Sequence, residues 1–238
     1  MPIAKDPVEI LQVKKLLHCV RTEDYYQIKK LCEKGVDCLI NFNEPHEGLT
    51  ALILAAIKND EKMLEFLLEN GAEPNIVDFN GRSALMRAAE LGHVQALKVL
   101  KDSNADSTLK DKQGKDVLFY CLAAPTNRHD TCMKLVLTMG ANFNNKTKDG
   151  TPVFVEACKN SIELKDICLM LLEQGADPSA IEEKNQRSAL HYAAKCGSVD
   201  VCRAILKKGG NPNVVDKTKL TPAHEAAGGG HFTVSRSF

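Results

Sequence analysis

Nine cysteines are the residues best suited to chemistry in this chain: Cys19, Cys32, Cys38, Cys121, Cys132, Cys158, Cys168, Cys196 and Cys202. Zinc sites usually draw ligands in close pairs, two from one turn. No C-x-x-C pair occurs here. His129 and Cys132 stand three apart and His18 adjoins Cys19, but neither has a second pair to complete a site. An odd count in a chain of this length also argues against a disulfide framework. The thiols read as reduced and structural, which implies a reducing, cytoplasmic compartment. Asp102, Asn104 and Asp106 place oxygens at positions one, three and five of a calcium-loop pattern. The sixth position is Ser107 where that loop needs glycine, and the twelfth is Gln113 where it needs a bidentate glutamate. No nucleophile elbow, phosphate loop, H-E-x-x-H pair or dinucleotide fingerprint occurs. The expectation is no catalytic residue, no metal ligand and no enzyme activity.

Composition narrows the partner classes. The chain has 238 residues, with 31 Lys+Arg against 31 Asp+Glu, so its formal net charge is zero. A duplex nucleic-acid binder normally carries a basic surplus to neutralise phosphates, and a polybasic membrane module does too. Apolar residues make up 44%, enough to exclude disorder over most of the length. The longest apolar run, Ala51 to Ile57, has seven residues, far short of the roughly 18 a membrane span needs. Met1 to Pro7 has no apolar signal core, so secretion is not expected.

The elements that must position any site repeat along the chain. Residues 45–77 align with 78–110, each 33 long. Gly48 falls on Gly81, Leu52 on Leu85, Ala55-Ala56 on Ala88-Ala89, and Leu64 on Leu97. Gly114 lies 33 residues after Gly81, and Gly150 lies 36 after Gly114. A second mark recurs at Gly71, Gly140, Gly175 and Gly209, with Gly35 and Asn104 in the same phase. Within 78–110, Asn80-Gly81 predicts a turn, since Asn-Gly readily takes positive φ. Ser83 can cap the helix that follows. A short first helix is expected over Ala84 to Glu90, closed by Gly92 in the left-handed conformation. Val94 to Lys101 then has amphipathic spacing for a second helix. One such unit cannot bury its apolar faces alone, so stacking on neighbours must supply the stability.

The period and the phrases Thr50 to Ala56, Ser188 to Ala194 and Thr221 to Ala227 resemble ankyrin repeats. The resemblance implies an all-α solenoid of helix-turn-helix units joined by β-hairpin-like loops. It also implies that His191 and His224 make local hydrogen bonds rather than serve as catalytic bases. More narrowly, Asn41 to Thr50, Met86 to His93 and Gly114 to Cys121 are similar to ankyrin-repeat proteins that also carry an EF-hand. In such proteins the calcium-binding EF-hand would lie beyond residue 238, so no cofactor is expected in this chain.

The repeat phase sets the organisation. Residues 1–44 form an N-terminal cap and degenerate repeat, whose leading helix mixes Ile10, Leu11, Leu16, Leu17 and Val20 with exposed lysines. Repeats follow over 45–77, 78–110, 111–146, 147–181 and 182–215, then a partial one over 216–232 and a divergent tail over 233–238. That tail is not expected to supply a second helix. Repeat four departs from the pattern at Asp116 to Phe119, and Pro125 should make its 123–130 loop project. In repeat five, Glu156 replaces the first motif alanine and needs solvent or a partner, with Lys159 close in sequence.

The resemblance implies a non-enzymatic protein-binding scaffold or adaptor that uses its concave face and hairpin tips. The tip positions are His46, Glu47 and Leu49; Phe79, Asn80 and Arg82; Lys112, Gln113 and Lys115; and Lys148 and Asp149, with Arg87, Glu90 and Leu91 beside them on a first helix. Phe79 reads as an exposed aromatic anchor. The candidate partner-binding set is Phe79, Asn80, Arg82, Arg87, Glu90, Lys112, Gln113, Lys115, Lys148 and Asp149. The cations among them point to an acidic protein or peptide, with no nucleic acid, membrane insertion or small-molecule substrate. The alternative is a structural spacer within a longer ankyrin and EF-hand protein.

Overall fold

A computed structural model describes residues 3–36, 38–124 and 128–236. Its helices in chain order are α1 Pro7–Thr22, α2 Tyr25–Lys34, α3 Ala51–Lys58, α4 Glu61–Glu69, α5 Ala84–Glu90, α6 Val94–Asp102 and α7 Val117–Cys121. They continue as α8 His129–Leu137, α9 Val153–Cys158, α10 Lys165–Glu173, α11 Ala189–Cys196, α12 Val199–Lys207, α13 Pro222–Gly228 and α14 Phe232–Ser235. Among the described residues there is no sheet. Isolated antiparallel bridges close three hairpin stems, at Val77 with Ser83, Lys146 with Pro152, and Ile181 with Ser188. No described helix is long and apolar enough to cross a membrane. The chain divides into two compact units, Met1–Lys112 with Ala123–Ala141, and Gln113–Leu122 with Asn142–Phe238.

In the first unit, α1 starts on a capping box: the Asp6 carboxylate accepts from the N–H groups of Val8 and Glu9, and Glu9 reaches back. This helix buries Val13, Leu16, Leu17 and Val20 and packs on α3. Leu11, grouped with them by sequence, faces solvent at 69% exposure. Thr50 caps α3 and Ser83 caps α5, each hydroxyl accepting an N–H three residues on. Ala55, Ala56, Ala88 and Ala89 are fully buried. Their small side chains let α3 and α5 pack side by side. The second helices α4 and α6 bury Met63, Leu64, Leu67, Leu97 and Leu100. Each large aliphatic side chain so placed contributes about 1.5–3 kcal/mol. Gly92 takes φ +67° after α5, the left-handed closure its position demands.

The second unit repeats the scheme with different caps. Asp116 holds the Leu118 N–H at 3.0 Å and starts α7, which buries Val117, Leu118, Phe119 and Cys121. Ser188 and Thr221 cap α11 and α13, and His191 and His224 complete both capping boxes. His191 is buried, with Nδ1 on Ser188 and Nε2 on the Leu220 carbonyl. Burial holds its pKa below the ordinary value, so the ring stays neutral. Phe154, Ile167, Leu171, Leu190 and Ile205 fill the core. Glu156 is half-buried and meets Lys159 at 2.8 Å, the partner its position required.

The chain after residue 232 differs from the sequence expectation. Phe232–Ser235 form one turn of helix, and Val234 is fully buried. Val234 supplies the inward apolar residue of a second helix, so the repeat pattern extends past Phe232. Pro125, Thr126 and Asn127, on which the projecting loop of repeat four rests, lie outside the described residues.

Neighbouring repeats are also joined by polar stitches that the apolar period does not reveal. The residue that opens a second helix bonds the end of the preceding repeat's first helix. His93 Nδ1 lies 3.0 Å from the Ala56 carbonyl, and His231 Nε2 lies 3.1 Å from that of Lys195. Arg128 donates to the Gly92 carbonyl at 3.2 Å. The Lys195 carbonyl lies in the last turn of α11, where a helix runs out of N–H donors of its own.

Candidate functional site

The hairpin tips are built around inward-facing acceptors. The Glu44 carboxylate accepts from the backbone N–H groups of His46, Glu47 and Gly48. Burial alone would raise its pKa, but these three donors outweigh that and hold it below the ordinary value. Asp78 accepts from the N–H groups of Asn80 and Arg82 at 2.8 and 2.9 Å. Thr147 replaces the carboxylate with a hydroxyl that takes the Thr151 N–H at 3.1 Å. Asp216 accepts from the N–H groups of Thr218 and Leu220, and from the Thr218 hydroxyl. These tips are thereby ordered from within, and the acids Glu44, Asp78 and Asp216 are withdrawn from the surface.

Adjacent tips are also joined through the backbone. In the first unit the Phe79 N–H donates to the Glu47 carbonyl at 3.1 Å, and Lys112 donates to Asn80 at 2.9 Å. In the second unit Lys148 donates to Gln113 at 2.8 Å, Glu183 to Gly150 at 3.4 Å, and Lys217 to Asn185 at 3.0 Å. The second residue of each of these tips is therefore fixed against the tip before it, and the side chains of Lys112, Lys148, Glu183 and Lys217 remain exposed.

The candidate residues fall in both units. The first contains Phe79, Asn80, Arg82, Arg87, Glu90 and Lys112; the second contains Gln113, Lys115, Lys148 and Asp149. Asn80, Lys112, Gln113, Lys148 and Asp149 are exposed, and Lys115 is half-buried. Two residues differ from their sequence reading. Phe79 is half-buried rather than exposed, because its ring lies over Gly48 in the space a Cβ would take. Arg82 is not an outward cation, because its Nε meets the fully buried Asp78 carboxylate at 2.8 Å. Arg87 pairs with Glu90 one turn along α5. Arg82 and Arg87 thus serve local pairs, and the outward charge of these tips rests on Lys112 and Lys148.

Gly48 combines close approach with left-handed backbone. A Cβ there would lie 2.5 Å from the Phe79 ring and 2.6 Å from its backbone nitrogen, at φ +76°. Gly71 has φ +89° and open space around it. Gly71→Ala should therefore meet backbone strain alone, whereas Gly48→Ala should add displacement of Phe79. Strain of this kind costs on the order of 1–3 kcal/mol. Thermal melts should rank Gly48→Ala clearly below Gly71→Ala. Equal melting temperatures would show that the Phe79 contact does not hold the tip.

A second polar constellation lies in the second unit, among residues that form no catalytic motif in sequence. Arg187 bridges Asp216 and Glu225. The Tyr192 hydroxyl donates to Glu182, and the Lys159 ammonium lies 5.5 Å from the Tyr192 ring centroid. Burial and then the Glu182 carboxylate push the Tyr192 pKa up to about 12. A phenol so held is a hydrogen-bond donor and not a base. The available sequence signal was the column that puts Asp216 in phase with Asp78.

The cysteines carry no disulfide. Cys158 and Cys168 approach to 3.9 Å between sulfurs, and burial drives the Cys158 thiol well above its ordinary pKa. Six of the nine are buried, but Cys32 and Cys196 are half-buried and Cys38 is exposed, so the buried structural reading does not extend to all of them.

Comparison with known proteins agrees with this architecture. The family described as Ankyrin repeats (3 copies) matches residues 16–111, 118–216 and 157–237. Human SH3 and multiple ankyrin repeat domains protein 2 is 28% identical over 225 residues, 94% of this chain and 12% of that protein. L-asparaginase of Dirofilaria immitis is 30% identical over 176 residues, 74% of this chain and 29% of the relative. Human neurogenic locus notch homolog protein 1 is 26% identical over 207 residues, 80% of this chain and 8% of the relative. The chain thus spans less than a third of each of these relatives. With the family match, the repeated caps and the paired helices in agreement, the chain belongs to the ankyrin-repeat family.

Proposed function

We propose that this chain is a non-enzymatic protein-binding scaffold or adaptor. Ankyrin repeats are generally protein-interaction modules. The observation that carries the reading here is the tip architecture. Buried acceptors and tip-to-tip backbone bonds fix the hairpins, and exposed side chains such as Asn80, Lys112, Gln113, Lys148 and Asp149 stand on that frame. Surface held in place before binding loses less conformational freedom when a partner docks. The partner is an acidic protein or peptide, and nucleic acid, membrane insertion and small substrates are not part of the reading. In this reading the chain binds its partner without a cofactor. Nine unpaired thiols fit a reducing, cytoplasmic setting.

The test is affinity capture from cell lysate with the native chain and with Asn80→Ala/Lys112→Glu. Both substitutions lie at exposed tip positions, and circular dichroism checks that both proteins fold. A protein retained by the native chain and lost by the variant, with or without a calcium chelator, is the expected result. Identical captures would remove the first-unit tips from the binding surface. Empty captures from both would favour a structural spacer.

A further inference from the structure

We propose that the tips of the second unit form a basic edge that binds an acidic peptide segment carrying one acidic residue at every third position. This rests on the protein-binding reading and names the partner's chemistry. The chain is neutral overall, but its charges are sorted at these tips. Glu182 and Asp216 are buried, where Tyr192, Lys159 and Arg187 engage them. Glu183 lies 3.7 Å from Lys146. Two other cations of the unit are occupied: Lys165 pairs with Asp200, and Arg187 spans Asp216 and Glu225. Lys148, Lys184, Lys217 and Lys219 are exposed and, among the described residues, make no ion pair. Asp149 and Glu183 are the exposed acids beside them. The edge therefore presents a basic surplus that the net charge of zero conceals.

The spacing sets the partner's pattern. Backbone bonds join tips 147–151, 182–187 and 216–220 in sequence. Each tip is a hairpin of two chain passes about 4.8 Å apart, so successive tips lie about 10 Å apart, and they present Lys148, then Lys184 beside Glu183, then Lys217. A peptide in the polyproline II conformation turns once every three residues and advances about 3.1 Å per residue, so every third side chain lies on one face and meets a new tip. Three tips call for three acids. Contacts between exposed charges are individually weak and screened by salt. Binding should accordingly be loose, salt-sensitive and dependent on the number of tips engaged.

The probe is a fluorescein-labelled peptide of three Glu-Ser-Ser units, compared with a peptide of the same composition whose three glutamates are consecutive. Fluorescence anisotropy reads binding to the native chain and to Lys184→Glu/Lys217→Glu, with circular dichroism confirming that both fold. The spaced peptide should bind the native chain more tightly than the clustered one. The variant should lose about tenfold in affinity for it, as expected for two weak surface contacts. Equal binding by native and variant chains, or no preference for the spaced peptide, overturns the proposal. So does tighter binding of polyuridylate RNA or phosphatidylserine vesicles at matched charge. Failure here, with capture still dependent on Asn80 and Lys112, would sink the basic edge and leave the binding-module reading standing.

Discussion

Leu85→Asp should unfold much of the first unit under conditions where the native chain is fully helical. Leu85 is 1% exposed and lies on α5, which packs on α3 and on its own second helix α6. A carboxylate at this depth loses its hydration and gains no counter-charge from the apolar residues around it. A buried polar group without a partner costs on the order of 2–7 kcal/mol, and an unpaired charge costs more. A whole domain is typically stable by about 5–15 kcal/mol. Repeat stability is a sum of unit and nearest-neighbour terms, so one failed repeat also weakens the interfaces on either side. Leu85→Ala is the reference, because it opens a cavity without adding charge and should cost about 2–5 kcal/mol. Urea unfolding followed by circular dichroism should place Leu85→Asp well below Leu85→Ala. If the two unfold together, water reaches position 85 and the packing described for α5 is wrong.

The architecture was legible because repetition samples one solution several times. The turn at Gly81, the Ser83 cap and helix Ala84–Glu90 followed from a single 33-residue window and stand as expected. The surface was less legible, because the side-chain partners there are distant in sequence or share an ambiguous column. Phe79 looked exposed because its place beside Gly48 depends on a turn 31 residues earlier. Arg82 looked like a free tip cation because the burial of Asp78, only four residues away, is a property of the folded hairpin. The stitches from His93 and His231 join chain segments 36 or 37 residues apart and leave no apolar pattern. Phe232–Ser235 escaped notice because one helical turn with a single buried Val234 has no periodicity to detect.

Arg187→Met should destabilise the second unit most at neutral pH, and the deficit should shrink in acid. Arg187 meets Asp216 at 3.0 Å and also holds Glu225. The side chains of these acids are only 2% and 10% exposed, so removing the guanidinium leaves two shielded carboxylates without their cation. Breaking a buried pair from one side costs about 3–5 kcal/mol, and about 2–3 kcal/mol is the better estimate here because Arg187 keeps contact with water. Burial pushes the Asp216 carboxyl up. The Thr218 hydroxyl, the N–H groups of Leu220 and Thr218, and Arg187 outweigh it, so the group sits well below its ordinary value of 3.8. A depressed carboxyl contributes stability that is fully present above its unfolded pKa and is lost as pH falls through the folded one. In the native chain this contribution is therefore retained at neutral pH and fades only below 3.8. In the variant Asp216 loses one of the groups that hold its carboxyl down and binds a proton more readily, which removes one of the two shielded charges. Urea midpoints of the two proteins should thus lie far apart at neutral pH and converge toward acid. Arg187→Lys should recover part of the gap, since it restores the charge but not the fork that spans both acids. Coincident midpoints at neutral pH would mean that water already screens this pair and that the Asp216 tip is held by Thr218 and the backbone alone.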